Sequence, residues 1–545
     1  MPEQRTIRVI ILCKGTELPR WQAQAIRHLL EVPGVELVAV GTPRSDDAPW
    51  VGAVDPKAYV EKRCLSLLIQ RANLLEDLSD PLASVPGVEL SPDPLRFGER
   101  ATWSAFAPDL LISFLPSMAA NALPDPKTHH PVWEFRFGGQ GIGSNGLLGM
   151  RSRFTRDRSL QVQFRSSTEK KAITATFPLR TEDGEASLDL VLAGAGWLPA
   201  KLATTLLADP GEGIGSTLIE TEQKTDYQDN MIVSIRSWID LELYRLRSQE
   251  RQGPTHGEWN IGVLHQPISS LLDEEASTNV RWLPSPSEGN HRMEPFGYTA
   301  LDGQLNVLYR KKHRHKPIDE IARLRPKSDS VLKRSRSMLT TSASLHYPFV
   351  VERPDGAYAI ISYPHQDKTE LFRVADSNDR MDHVKTLMNR ALTSPTLIYF
   401  EGLWWLLGTD PDAADSVLLA YHSQAMDGPF LPHPLNPLKV DSVGTRPAGT
   451  PFIHGTDLWR PALDTSDPST VTIILNRVDT LTTRTFHESA GRRLTGFRGT
   501  VYSNGIRTIS AMGDLTLIDG LRGTTSEKLQ GKAHKSTKRS KKRSS

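Results

Sequence analysis

Tyr347-Pro348-Phe349-Val350, then Asp355-Gly356, then Tyr358-Ala359-Ile360-Ile361 is the stretch that decides the second half of this 545-residue chain. It holds a proline, an apolar pair, a turn pair and an apolar strand. The same phrase stands earlier, at Glu294-Pro295-Phe296, Asp302-Gly303 and Leu305-Asn306-Val307-Leu308-Tyr309. It returns at Ser394-Pro395-Thr396-Leu397, Glu401-Gly402 and Trp404-Trp405-Leu406-Leu407. A fourth copy is Arg446-Pro447-Ala448, Pro451-Phe452-Ile453, Gly455 and Leu458-Trp459. A weaker fifth lies at Asn504-Gly505-Ile506, with Leu515-Thr516-Leu517-Ile518 and Asp519-Gly520. The four prolines are 53, 47 and 52 residues apart. A period near 50 with hairpin turns marks propeller blades of about four strands. Residues 256–522 are therefore expected to form an all-β propeller of roughly five blades.

The local chemistry agrees. Proline pushes the residue before it toward extended backbone. It can open an inner strand without losing a ladder hydrogen bond. The Asp-Gly pair closes the hairpin to the next strand. Inner strands of successive blades start at one rim, so Glu294, Tyr347, Ser394 and Arg446 are expected to line a central funnel.

The first half reads differently. Residues 6–14 are an apolar strand, 18–31 an amphipathic helix with Trp21, Ala25, Leu29 and Leu30 on one face, and 35–40 a second strand. That is a βαβ unit and implies an open parallel sheet. A Leu-rich helix over 56–79 and a buried strand over 109–114 extend it to an α/β domain over 1–210. Gly138, Gly141 and Gly143 stand in a glycine-rich loop whose N–H groups suit an anion. The loop does not follow the first strand, so it fails the context of a dinucleotide site. The plainer reading is that it needs glycine for its own turns. Residues 211–255 read as a helical connector, with its helix over about 225–249.

Composition bounds the function. Hydrophobic residues are 38% of the chain, enough for ordinary cores in two or three domains. The pattern shows no secretory leader and no apolar run near the roughly 20 residues that span a bilayer. Cys13 and Cys64 are the two cysteines, so neither a disulfide framework nor a cysteine zinc site is expected. The expectation is a reduced, cytoplasmic protein with no cofactor and no metal. The net charge of +2 conceals a basic end: Lys528, Lys532, Lys535, Lys538, Arg539, Lys541, Lys542 and Arg543. Residues 523–545 are expected to be a disordered basic tail. Such a tail attracts anionic lipid or nucleic acid, or simply solubilises the chain.

Several of these stretches carry a resemblance. Ser344-Leu345-His346-Tyr347-Pro348-Phe349-Val350, Gly428-Pro429-Phe430-Leu431-Pro432-His433-Pro434-Leu435-Asn436-Pro437, Arg446-Pro447-Ala448-Gly449 and Arg460-Pro461-Ala462-Leu463-Asp464 resemble the N-terminal propeller of plant glucosamine inositolphosphorylceramide transferases. The ending Ile506-Arg507-Thr508-Ile509-Ser510-Ala511-Met512-Gly513-Asp514 is similar to bacterial polysaccharide-locus proteins that fuse this propeller behind a formyltransferase-like domain. More remotely, the propeller resembles family 43-like glycoside hydrolases. Pro108-Asp109-Leu110-Leu111-Ile112 and Trp133-Glu134-Phe135-Arg136-Phe137 are similar to the formyltransferase-like domain. That domain carries histidines where this chain has Arg136 and Phe137. Arginine stays protonated and phenylalanine transfers no proton, so no formyl transfer is expected. His129 and His130 lie nearby.

The resemblance implies a glycan-related protein of polysaccharide biosynthesis, whose funnel acts on or binds a sugar. As a glycosyl-transferring or glycoside-hydrolysing enzyme, it would use Glu294 and Asp464 as its two carboxylates. His346, Arg446 and Arg460 would hold the ligand, and Trp404 would stack on a sugar ring. The alternative is a non-catalytic glycan- or partner-binding scaffold. Ser394, standing where the hydrolases carry an acid, favours that alternative.

Overall fold

The computed structural model describes residues 5–43, 74–90, 105–115, 132–138, 140–141, 159–166, 171–179, 184–208, 257–275, 279–286, 289–313, 319–325, 333–341, 343, 345–375, 379–467, 470–497 and 499–522. The helix expected over 225–249, residues 56–73 of the Leu-rich helix, His129, His130, Gly143 and the basic tail lie outside the described residues.

The N-terminal part is one sheet built from β1 (Ile7–Leu12), β3 (Val35–Pro43), β5 (Gly87–Leu90), β6 (Leu110–Ser113), β7 (Val132–Phe137), β8 (Gln140–Gly141), β9 (Ser159–Ser166) and β10 (Ala172–Pro178). The order is β10-β9-β7-β6-β1-β3-β5, with β8 on β7. Strands β7, β6, β1, β3 and β5 pair in parallel, as the βαβ reading implies. The rest departs from the open parallel sheet, because β8, β9 and β10 are antiparallel. Only residues 167–171 join β9 to β10. A parallel crossover needs about a dozen residues, so a hairpin is what this link allows.

A small ladder, β2 (Glu17–Pro19) on β4 (Leu75–Asp77), also occupies the end of the expected 56–79 helix. Helix α1 (Arg20–Leu30) buries Trp21, Ala25 and Leu29 against the sheet, as the 3.6-residue pattern requires. Two helices escaped the sequence reading, α2 (Gly184–Ala195) and α3 (Leu198–Leu207). The run Leu188–Leu207 is long and apolar enough to cross a membrane, but it is broken at residues 196–197 and 67% of it is buried within the fold.

The C-terminal part is five sheets in a ring, a β-propeller. Before it come β11 (Glu258–Leu264) and β12 (Val280–Trp282). Blade 1 is β13 (Asn290–Thr299), β14 (Leu305–His313), β15 (Glu320–Arg325) and β16 (Lys333–Leu339). Blade 2 is β17 (Phe349–Arg353), β18 (Gly356–Tyr363), β19 (Lys368–Val374) and β20 (Met381–Met388). Blade 3 is β21 (Thr393–Phe400), β22 (Leu403–Thr409), β23 (Val417–Ser423), β24 (Leu431–Pro432) and β25 (Lys439–Val440). Blade 4 is β26 (Phe452–His454), β27 (Asp457–Asp464), β28 (Thr472–Leu481) and β29 (Phe486–Leu494). Blade 5 closes the ring by joining both ends of this part, in the order β12-β11-β31-β30, with β30 (Ile506–Met512) innermost and β31 (Leu515–Arg522) beside it. Its hairpin turns at Gly513-Asp514. Asp519-Gly520, which resembles a turn pair in sequence, lies inside β31.

The two parts share a continuous apolar core, in which Leu188, Trp197 and Leu198 sit with Ala413, Val417, Leu419 and Val440 of blade 3. The His28 ring of α1 stacks on Trp197 at 3.7 Å, and the Arg390 guanidinium lies 5.4 Å from the Trp197 ring. The Ser442 N–H donates to the Thr176 carbonyl at 3.0 Å. Lys201 of α3 reaches into this interface and donates to the Leu438 carbonyl at 3.0 Å.

Burial pulls the Lys201 ammonium down to about 8. At neutral pH the fold therefore carries the cost of a dehydrated charge. Lys201→Met should stabilise the protein by about 1–2 kcal/mol at pH 7, the charge relief being offset in part by one lost hydrogen bond. Between pH 8 and 10.5 the unfolded chain holds this proton and the folded chain has released it, so wild-type stability rises with pH there. The variant's advantage should shrink over that window. Urea midpoints of both proteins at pH 7 and pH 10 measure it.

Candidate functional site in the propeller funnel

The funnel is shaped by one irregularity repeated in three blades. In blade 1, Met293 faces Arg310 and Phe296 faces Leu308, so Glu294 and Pro295 together oppose Tyr309 alone. Ser394-Pro395 does the same opposite Gly408, and Arg507-Thr508 opposite Asp519. Each is a β-bulge, a device that re-aims a side chain. The residues before the first three blade prolines are not extended, as the proline rule suggests. Glu294, Tyr347 and Ser394 have φ of 54°, 52° and 53°. Proline pushes its predecessor toward extended backbone, so these three positions, in the left-handed region, depart from the rule. A non-glycine residue pays a strain there that only the surrounding structure can hold.

The floor of the funnel is closed. The Phe296 and Tyr347 rings meet edge-on at 4.8 Å, and Phe296 and Phe349 at 5.3 Å. The Tyr347 hydroxyl accepts from the Gly449 N–H at 2.7 Å and shares a hydrogen bond with Thr396 Oγ1 at 3.1 Å. Tyr347 is thus a plug rather than a lining residue.

Above the plug, Glu294 is 1% exposed and fully engaged. It accepts from Tyr347 N–H at 2.7 Å, Arg507 Nε at 3.2 Å and an Arg310 terminal nitrogen at 3.5 Å. Burial acts to raise its pKa, but Arg310, Arg507, His346 and Arg446 outweigh it and hold the carboxyl at about 2. Arg310 is also clamped by Asp319. Asp519 takes the N–H groups of Glu294, Arg507 and Thr508 at 2.8, 3.0 and 2.7 Å and so pins blade 1 to the closing bulge. Burial, with Glu294 beside it, pushes Asp519 up to about 6. Arg446 donates to Ser394 Oγ at 3.0 Å and to Asp415 Oδ1 at 3.3 Å. Burial, with Arg310 close by, lowers His346 to about 4, so its ring is neutral at pH 7. Its Nδ1 is buried without a hydrogen-bond partner.

Glu294, His346 and Arg446 therefore belong to one electrostatic cluster. Other expected site residues do not join it. Asp464 accepts from Ser466 N–H at 3.1 Å and pairs with Arg493 of β29, so it caps the turn at the end of β27 and is spent within blade 4. Arg460 is 1% exposed; it grips Glu488 through two nitrogens and donates to the Gly444 and Thr445 carbonyls. All three of its nitrogens are engaged inside blade 4, and its burial keeps it from a ligand. Trp404 pairs with Tyr399 near the β21–β22 hairpin. That is five residues along the strand from Ser394, or about 16 Å at strand rise. Arg353 lies 5.8 Å from its ring. Trp405 is in the core.

In the α/β domain, Gly138 at φ 57° turns a hairpin in which Phe137 faces Gln140 and Arg136 faces Gly141. The Gly138 N–H donates to Gln161 at 2.8 Å. That donor serves the sheet rather than an anion. Arg136 pairs with Glu134, and Phe137 packs on Trp21 and Phe135 in the core.

Sequence reading missed Arg310, Asp319, Asp415, Arg507 and Asp519. The only signal for Arg507 was its position one residue into the inner strand of the weakest repeat, which has no proline.

Comparison with known proteins adds a family match and several sequence relatives. Residues 285–499 match the family described as glucosamine inositolphosphorylceramide transferase 1, N-terminal. That stretch spans blades 1–4. The chain is similar to glucosamine inositolphosphorylceramide transferase 1 of Oryza sativa subsp. japonica, 27% identical over 150 residues, covering 26% of this chain and 20% of that protein. The Arabidopsis thaliana protein of the same name is 23% identical over the same length and coverage. The chain thus spans about a fifth of the length of the curated relatives it matches. Among solved structures, it is similar to a family 117 glycoside hydrolase of Zobellia galactanivorans (14% identity, TM-score 0.29, 37% of this chain and 70% of that one). It is also similar to an exo-β-1,3-galactanase of Phanerochaete chrysosporium (12% identity, TM-score 0.31, 37% and 51%). Likeness of that order bears on neither chemistry nor ligand.

Proposed function

We propose that the propeller is a glycan-recognition module whose funnel binds a sugar bearing a carboxylate or phosphate and does not hydrolyse it. One observation carries this reading: the funnel presents cations and recesses its acids. Arg507 and Arg446 are 24% and 13% exposed, against 1%, 5% and 11% for Glu294, Asp319 and Asp415; Arg310, at 11%, is no more exposed than Asp415. An incoming ligand meets guanidinium N–H groups, which suit an oxyanion or paired hydroxyls. Hydrolysis asks for a carboxylic acid kept protonated near neutral pH. Glu294 at about 2 is ionised at any such pH, and Asp519 is sealed behind three backbone N–H groups. The relatives' names join a sugar to an inositolphosphoryl lipid, which agrees with a ligand offering both hydroxyls and an anion.

Titration of the full chain with glucose 1-phosphate and glucuronate, against neutral glucose, tests this. Arg446→Ala should weaken the two anionic sugars by about 10- to 100-fold, the scale of a lost charge-assisted contact. Equal affinity in both proteins would remove the funnel as the site. Turnover of any glycoside that drops about 100-fold or more in Glu294→Gln would restore the hydrolase reading. We place the protein in the cytoplasm. The basic tail would add attraction to anionic lipid or nucleic acid, which salt-dependent binding with and without residues 523–545 would measure.

A further inference from the structure

One short segment, residues 410–416, runs from the α/β domain to the funnel and is held at both ends. Asp410 caps the turn Pro411–Ala413 by accepting from the N–H groups of Asp412 and Ala413 at 3.0 and 3.2 Å. On the domain side, Asp412 accepts from Arg20 and Gln24 of α1 at 3.4 and 3.2 Å. Ala413 is buried in the core shared with α2. Gly194 of α2 is so close to this segment that a Cβ there would lie 2.8 Å from Ser416 Oγ and inside the Phe177 ring. On the funnel side, Asp415 holds a terminal nitrogen of Arg446 at 3.3 Å.

We infer that the α/β domain is a clamp that sets the funnel arginine, with Arg20 and Gln24 as positioning residues acting on Arg446 through residues 410–416. The inference rests on the reading of the funnel as the ligand site. The physical case is continuity. Arg446 is a long side chain, and its guanidinium is aimed by two partners, Ser394 and Asp415. Asp415 sits three residues from Asp412 on a capped turn packed into a core, so a shift at α1 is transmitted rather than absorbed. The glycine at 194 lets α2 press on the segment. This gives the N-terminal domain a role that needs no chemistry of its own.

The experiment uses the full chain and three variants: Arg20→Ala with Gln24→Ala, Arg20→Lys, and Asp415→Asn. Hydrogen exchange without ligand is followed at the amides of 410–417 and 446–449. Affinity is measured for glucose 1-phosphate and for glucose. The double variant should keep its melting temperature, exchange faster at both segments, and lose at least about fivefold in glucose 1-phosphate affinity with glucose unchanged. Arg20→Lys should restore much of this, and Asp415→Asn should reproduce it. Unchanged exchange at 446–449 together with unchanged glucose 1-phosphate affinity in the double variant overturns the clamp. Should the wild type bind neither sugar, the ligand reading fails alone and the exchange result still decides the clamp.

Discussion

Gly449→Ala should destabilise the protein by about 3–5 kcal/mol, the sum of overpacking against backbone and a strained φ. Gly449 has φ 141° and runs beside Ile509 of the closing blade, where a Cβ would fall well inside contact with the Ile509 carbonyl oxygen. Backbone cannot swing aside as a flexible side chain can. The flanking hydrogen bonds, Ile509 N–H to Ala448 and Thr450 N–H to Ile509, both 3.0 Å, would have to stretch. These bonds join blade 4 to the closing blade, so the damage falls on ring closure. Gly455→Ala is the control. Gly455 also has positive φ, 63°, but faces open space and should cost only about 1 kcal/mol. Denaturant midpoints of the two variants against wild type decide the matter. Equal losses would mean that the close approach at Gly449 is not what the ring depends on.

Glu294→Ala should cost about 3 kcal/mol, because it takes a counter-charge from two half-buried cations and the acceptor from a buried N–H. Arg507 and one Arg310 nitrogen lose a carboxylate, and the Tyr347 N–H loses its acceptor. Glu294→Gln keeps the acceptor and the shape and should cost less. The pH dependence separates charge from shape. Holding Glu294 at about 2, below its ordinary 4.5, corresponds to about 3 kcal/mol of stability. A carboxyl with a depressed folded pKa contributes fully above pH 4.5 and loses that contribution as pH falls through 2. The gap between wild type and Glu294→Gln should therefore be widest at pH 7 and narrow by pH 3. A gap that holds constant across pH 7, 5 and 3 would show that Glu294 matters by packing alone.

The repeated phrase, with its four prolines and a weaker fifth copy that has none, was enough to count the blades. A repeat position is a local property: proline, turn glycine and apolar alternation act within about 15 residues. It located Glu294 and Arg446 in the funnel. It misdirected Asp464, Arg460 and Trp404, because composition says what a side chain is and neither which partners engage it nor how far along a blade it sits. Trp404 is two residues past a hairpin, while Ser394 starts the strand before it. In sequence both belong to one blade phrase. In space they sit toward opposite ends of it. Arg310 was missed because it lies one residue past the repeated phrase on a second strand, and Asp519 because Asp519-Gly520 reads as a hairpin turn when it lies inside a strand. Asp319 and Asp415 stand just before strands, in segments that read as ordinary loops.

The sequence by itself determined the propeller, its blade count, the parallel half of the N-terminal sheet and the rim on which funnel residues start, since these follow from periodicity and turn chemistry along a short length of chain. Only the tertiary structure decided what the funnel is. The left-handed backbone at Glu294 and Ser394 sits in bulges held by neighbouring strands, and that at Tyr347 is fixed by its N–H on Glu294 and its hydroxyl at Gly449. The closing blade is made from residues 258–282 and 506–522, so Arg507 meets Glu294 across 213 positions of chain. The clamp of α1 on Asp412 spans 388. Glu294 and Arg507, that far apart in the chain, become strong partners because the fold strips water from the Glu294 carboxylate, which would otherwise screen them.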